Sequence, residues 1–162
     1  MKRDRALVAL LYLLALRISE ALRLRRSNFI LPDEDGGYED RIVVRGIKLS
    51  KSRWRDKPRK EQYRQINWLP LKGERAKLTG LVLDYLKELD YDEKLFKFDR
   101  RRAWEIVVHL TGLPCHFFRA FGEEYLYERW GRDILAVADY VKVDPVTLQQ
   151  YIRRRYERYE VV

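Results

Sequence analysis

Four stretches of this chain carry side chains suited to chemistry on a phosphate. They are ALRISEALRLRRSNF at 15–29, a basic connection at 48–60, HFFR at 116–119 and a tyrosine-rich end from 151 onward. Phosphodiester exchange without a metal needs such a set. Its five-coordinate transition state carries two negative charges, so fixed positive donors must surround the non-bridging oxygens. The guanidinium suits this task because its planar fork stays charged and binds two oxygens at once. A hydroxyl nucleophile must stand in line with the bond that breaks, and an acid must protonate the departing 5′ oxygen. Two arginines, a lysine on a hairpin and a late tyrosine would supply each part.

Other chemistries fit less well. Cys115 stands beside His116, but chain neighbours rarely face one another and no third group is evident to orient the pair. One cysteine excludes an internal disulfide, and with two histidines it leaves a structural zinc site unsupported. His109 lies in an apolar helical pattern and reads as a core histidine.

The elements that must position these residues are mostly helical. A helix is expected over 3–16, apolar nearly all round and so central to the core. Ser19 reads as the N-cap of a shorter helix to about Leu24. Residues 32–37 are a loop by their Pro, Asp and Gly content. The β-branched run at 41–47 (RIVVRGI) reads as a strand, and 63–71 (YRQINWLPL) as its partner. Between them, residues 48–60 hold seven Lys or Arg against the single acid Asp56. Helices follow over 78–89, 100–110, 116–129, 134–141 and 145–158, the last begun by Asp144 as N-cap and Pro145 in the first turn. The expected architecture is a mainly α domain with one small antiparallel sheet, of the α+β class.

Composition narrows the partner. A net charge of +9 and a pI near 9.7 call for a polyanion. Nucleic acid is favoured over a membrane surface, because no amphipathic anchor or lipidation signal is present. The apolar run at 6–16 (ALVALLYLLAL) is too short to span a bilayer, and no cleavage site follows it. Nothing asks for an oxidising compartment, which points to the cytoplasm. Charged residues make up 36% of the chain against a usual ~25%, which with one Met and one Cys leans towards a thermophilic source.

Residues 15–29 closely resemble the segment G-L-R-x-S-E-L-x-x-L-x-x-x-D of the tyrosine recombinases, the phage-integrase family. His116-Phe117-Phe118-Arg119 is similar to that family's H-x-x-R box. Tyr151 follows Arg119 at about the family's separation, and QINWLPL at 65–71 resembles its returning strand. The resemblance runs in order over nearly the whole chain. It implies the tyrosine-recombinase catalytic-domain fold over 1–162, without the separate N-terminal core-binding domain that most members carry.

The resemblance also implies roles. Arg17, Arg119 and Lys142 would stabilise the phosphorane charge, with His116 assisting and Glu20 orienting the site. Lys48 would protonate the leaving 5′ oxygen, with Lys51 the alternative, and Tyr151 would become the 3′-phosphotyrosyl carrier. No metal or ATP is implied, since bond energy is kept in the covalent intermediate. The partner would be double-stranded DNA, on which the chain would self-associate into dimers or tetramers. Two departures stand out. Tyr140-Val141-Lys142 occupies the place where the family has His or Trp, and Arg119-Ala120-Phe121 replaces the common R-H-T.

Each assignment competes with a plainer one. Arg17 ends an apolar helix, where a cation favours the dipole. Glu20 could pair with Arg17 or Arg23 across a helical turn. Tyr151 comes one turn after Leu148, where core packing is the ordinary role. Lys51, Arg53, Arg55, Lys57, Arg59 and Lys60 read as a phosphate-tracking face that adds salt-sensitive affinity and no sequence readout. Arg153, Arg154 and Arg155 would touch DNA or a neighbouring subunit, or simply be solvated. The tail at 156–162 would pass to a neighbouring subunit or merely finish the last helix. A type IB topoisomerase and a non-catalytic DNA-binding module remain the rival readings.

Overall fold

The computed structural model describes residues 1–49, 63–64 and 66–160, apart from the side chains of 154–160. Lys51, Arg53, Arg55, Lys57, Arg59 and Lys60 lie outside the described residues, as do Val161 and Val162 and the side chains of Arg154, Arg155, Tyr156 and Tyr159.

Helix α1, Lys2–Leu13, buries Ala6, Leu7, Ala9, Leu10, Leu11 and Leu13, so it is enclosed on most sides as its sequence required. It ends earlier than expected. Ala15 has φ 47°, in the left-handed region that L-residues avoid, and the Leu16 amide reaches back to the Leu11 carbonyl. This turn delivers Arg17 in an extended conformation at the head of α2, Ile18–Ala21. The N-cap is therefore Arg17 and not Ser19. The Arg17 amide donates to the Glu20 carboxylate at 2.9 Å, which satisfies a donor that the helix start would orphan.

Three antiparallel strands form one sheet in the order β1–β2–β3: β1 is Phe29–Ile30, β2 Arg41–Val44 and β3 Asn67–Pro70. Val44 stands opposite both Phe29 and Asn67. The two expected strands are shorter than their β-branched runs. Gly46 takes φ 67°, which interrupts the ladder, and pairing resumes only where Lys48 faces Tyr63. β1 was not foreseen, since two residues carry no readable period.

The later helices follow the expected pattern: α3 Ala76–Leu86, α4 Arg100–Thr111, α5 Cys115–Arg129, α6 Ile134–Val141 and α7 Pro145–Glu160. The starts of α4, α6 and α7 are fixed by carboxylates. Asp99, Asp133 and Asp144 accept from the amides of Arg102, Ala136 and Val146. Gly112 ends α4 in a left-handed cap. His109, expected in the core, is exposed on α4, because the buried face is set by Ala103, Ile106 and Val107. No helix of the described residues is long and apolar enough to cross a membrane.

The apolar interior divides in two. The larger cluster joins α1 to the sheet, α3 and α4, with Leu7, Leu10, Phe29, Ile42, Leu69 and Phe96 at its centre. The smaller holds Leu126 of α5, Val137, Ala138 and Val141 of α6, and Leu148 and Ile152 of α7. Ala15, from the turn before Arg17, belongs to this second cluster. Gly122 of α5 lets the two halves approach. A methyl there would collide with the Tyr12 carbonyl oxygen and come within 3.1 Å of the Ala15 Cβ.

Gly122→Ala should therefore destabilise the fold by about 1–3 kcal/mol through overpacking against rigid backbone. Gly80→Ala, inside α3 where nothing stands within 4 Å of the added Cβ, should instead stabilise it by about 0.5–1 kcal/mol. Urea unfolding of the two variants measures both. Equal shifts of the same sign would refute the close approach at Gly122.

Candidate active site

The site begins at the turn after α1. The Arg64 side chain is fully buried, and its guanidinium donates to the carbonyls of Leu14 and Ala15 and to the Glu20 carboxylate, the last two at 2.6 and 3.3 Å. The Glu20 oxygen that receives Arg64 also accepts the Arg17 amide. Glu20 thus fastens the backbone of Arg17 and acts on its charge, and its carboxylate also pairs with Arg64, which the sequence pattern had not suggested. Burial, then the charges of Glu20 and Arg119, act on Arg64. Burial dominates and holds its pKa below the ordinary arginine value.

The second half of the site comes from α5. The Arg119 Nε lies 2.8 Å from a Glu123 carboxylate oxygen, one helical turn on. Burial raises the Glu123 pKa above the usual carboxylate range, and Arg119, Arg64 and Arg17 oppose it in that order. Arg17 closes the cluster. Its pKa is lowered first by burial and then by the Arg119 charge, against the pull of Glu20 and Glu123. Three guanidiniums thus act on two carboxylates, which leaves an excess of positive charge in the region that Arg17 and Arg119 share.

Arg17, Glu20 and Arg119, expected from the sequence, therefore belong to one cluster. Arg64 and Glu123 were missed. Glu123 had a readable signal, since a carboxylate four residues after Arg119 shares its helix face. Arg64 had none, being one of many cations along a basic hairpin.

The contacts of the other expected residues run elsewhere. Lys48 is exposed at the foot of the hairpin opposite Tyr63, and the next carbonyl, Leu49, accepts from the Arg23 guanidinium at 2.7 Å. His116 is exposed in the first turn of α5 and stacks on Phe117, with ring centroids 4.9 Å apart. Lys142 caps α6 in a left-handed conformation and pairs with Asp139 at 2.8 Å. Tyr151 is 40% exposed on α7, between Leu148 and Ile152, which are buried in the cluster that includes Ala15. The Cys115 thiol is buried and its pKa raised, which keeps it protonated and unreactive.

The raised Glu123 pKa gives a pH prediction. Folded protein holds this proton more tightly than unfolded chain, so the contribution is present at low pH and lost as pH rises from the ordinary carboxylate value through the raised one. Glu123→Gln should remove this downward trend, so that mutant and wild-type stabilities draw apart as pH rises through that window. Parallel stability–pH curves would show that Glu123 ionises normally.

Among protein-family models, curated proteins and solved structures, nothing matches this chain, so the reading of the site rests on its residues and their geometry.

Proposed function

We propose that the chain breaks and rejoins DNA strands by transesterification at Tyr151, as a tyrosine recombinase does. One observation carries this reading: Arg17 and Arg119, from opposite halves of the sequence, lie within electrostatic reach of each other and of Glu123, which Arg119 pairs at 2.8 Å. A pair of converging guanidiniums suits a phosphate whose charge grows in the transition state. A second observation supports it. Ala15 takes a left-handed conformation at the position where the family segment carries glycine.

In the proposed step the Tyr151 oxygen attacks the scissile phosphorus, and the phenolic proton leaves to a base or to water. The bond from phosphorus to the 5′ oxygen breaks, and Lys48 gives that oxygen a proton. A 5′ hydroxyl then reverses the exchange and reseals the strand. Arg17 and Arg119 hold the non-bridging oxygens, Lys142 donates to the same phosphate after leaving Asp139, and His116 assists. On DNA with paired sites the chain assembles into dimers or tetramers.

Tyr151→Phe should abolish covalent attachment to a nicked duplex while DNA affinity stays nearly unchanged. Arg17→Ala or Arg119→Ala should slow cleavage by about 10²–10³-fold or more at saturating DNA. Wild-type levels of phosphotyrosyl adduct in the Tyr151 variant would overturn the reading.

Lys48 has its own test. A strand with sulfur in place of the bridging 5′ oxygen has a leaving group that needs no proton. Lys48→Ala should fail on normal DNA and recover on the sulfur strand. Recovery confined to Lys51→Ala would move the acid to that residue.

A further inference from the structure

We propose that a cleft beside the arginine cluster is a second nucleic-acid site, which takes one unstacked nucleotide of a single strand. The inference rests on the reading of the chain as a DNA-acting protein and adds where the strand is held away from the break.

The cleft has a volume of about 490 Å³ and lies between the end of β3, the approach to α3, the last turns of α5 and the end of α6. Its walls are aromatic: Trp68, Tyr125, Trp130 and Tyr140. Trp68 and Trp130 both meet Tyr140 edge to face, with centroids 5.3 and 5.2 Å away. Tyr140 is itself fixed, because its hydroxyl accepts from the Trp68 amide at 3.2 Å. The rings are therefore held in place before any ligand arrives, which lowers the ordering cost of binding.

Aromatic walls can hold a cation or a flat anionic ligand. Charge decides between them. Lys72, Arg75 and Arg129 line the cleft against the single acid Glu74, so a cation is repelled and an anion drawn in. Arg75 lies over the Tyr125 ring, 3.9 Å from its centroid. The Leu13 carbonyl accepts from the same guanidinium at 3.5 Å, so its charge is fixed at the cleft wall, where a phosphate can be drawn to it. A ligand with a π face and a negative charge meets both demands, and a nucleotide has the two together.

Position agrees with this. Arg119, Glu123, Leu126 and Trp130 recur at the spacing of one helix face, and Arg119 to Trp130 spans roughly 16 Å of helix. Tyr140 lines the cleft and also lies within reach of the Arg64 charge. A strand held at the arginine cluster can thus place a nucleotide a few steps along in the cleft, where stacking tolerates any base.

The test uses the full chain with Trp54→Phe and Trp104→Phe, so that Trp68 and Trp130 alone emit. Titration with a short single-stranded oligothymidylate should quench that emission. Trp130→Phe should weaken binding by about threefold and Trp130→Ala by about tenfold. Arg129→Gln, an exposed change that spares the fold, should lower the salt slope of binding by about one unit. The proposal is overturned if the parent is not quenched, if Arg129→Gln and Trp130→Ala bind as the parent does, or if an oligoglutamate quenches as strongly. The two readings fail separately: quenching without covalent adduct on a nicked duplex would strike the strand-transfer proposal, and adduct without quenching would strike the cleft.

Discussion

The arrangement depends on the burial of the Arg64 guanidinium. A charge removed from water costs several kcal/mol unless it is paired and its hydrogen bonds are made. Arg64 meets most of this demand with two carbonyls of the turn after α1 and with Glu20, and its Nε alone finds no acceptor among the described residues. The bonds tie a hairpin residue to the same turn that carries Arg17. Loss of Glu20 would leave the guanidinium uncompensated, an imbalance of the kind that costs about 3–5 kcal/mol. The turn is also strained, since Ala15 adopts a conformation that costs an L-residue roughly 1–2 kcal/mol. The carbonyls bound by Arg64 belong to this strained turn, so one interaction pairs the charge and holds the backbone.

From that turn the site is assembled by close packing. Gly122 brings α5 against Tyr12 and Ala15, and the same helix carries Arg119 three residues before it and Glu123 directly after it. Without a side chain at Gly122 the helix sits where Arg119 can reach the field of Arg17. The Arg119 charge lowers the Arg17 pKa, the direction like-charge repulsion gives, and Glu20 and Glu123 offset part of it. An arrangement that tolerates such repulsion stores positive potential at one place, which suits an anion that gains charge as it reacts.

The two apolar clusters divide the labour. The larger one supports the sheet and the first helices, while the smaller holds α6 and α7 against α5. Ala15 sits in the smaller cluster along with Leu148 and Ile152, so the helix bearing Tyr151 packs into the same apolar patch as the turn bearing Arg17. Trp68 and Asn67 carry the same connection on the polar side, where they donate to the hydroxyl and carbonyl of Tyr140. The end of α6 is thereby fastened to the sheet.

The sequence by itself determined the class of the fold and most of its helices. Alternating apolar positions and the carboxylates Asp99, Asp133 and Asp144 fix where those helices start, because period and capping are local properties. It also determined that Arg17, Glu20 and Arg119 deserve comparison, since their types and surroundings form a recognisable pattern. It placed the N-cap of α2 at Ser19 and His109 in the core, and both readings failed for tertiary reasons. The strained turn at Ala15 moved the helix start, and the packing of Ala103, Ile106 and Val107 turned His109 outward. Which of many arginines is buried was a matter for the tertiary structure alone. Nothing in its local sequence marks Arg64 for burial, and the carbonyls and carboxylate that meet it come from a turn far away in the chain. The same holds for the cleft: Trp68, Arg75, Trp130 and Tyr140 share no spacing in the sequence, and only the tertiary fold, with β3 fastened to the end of α6, brings them around one cleft.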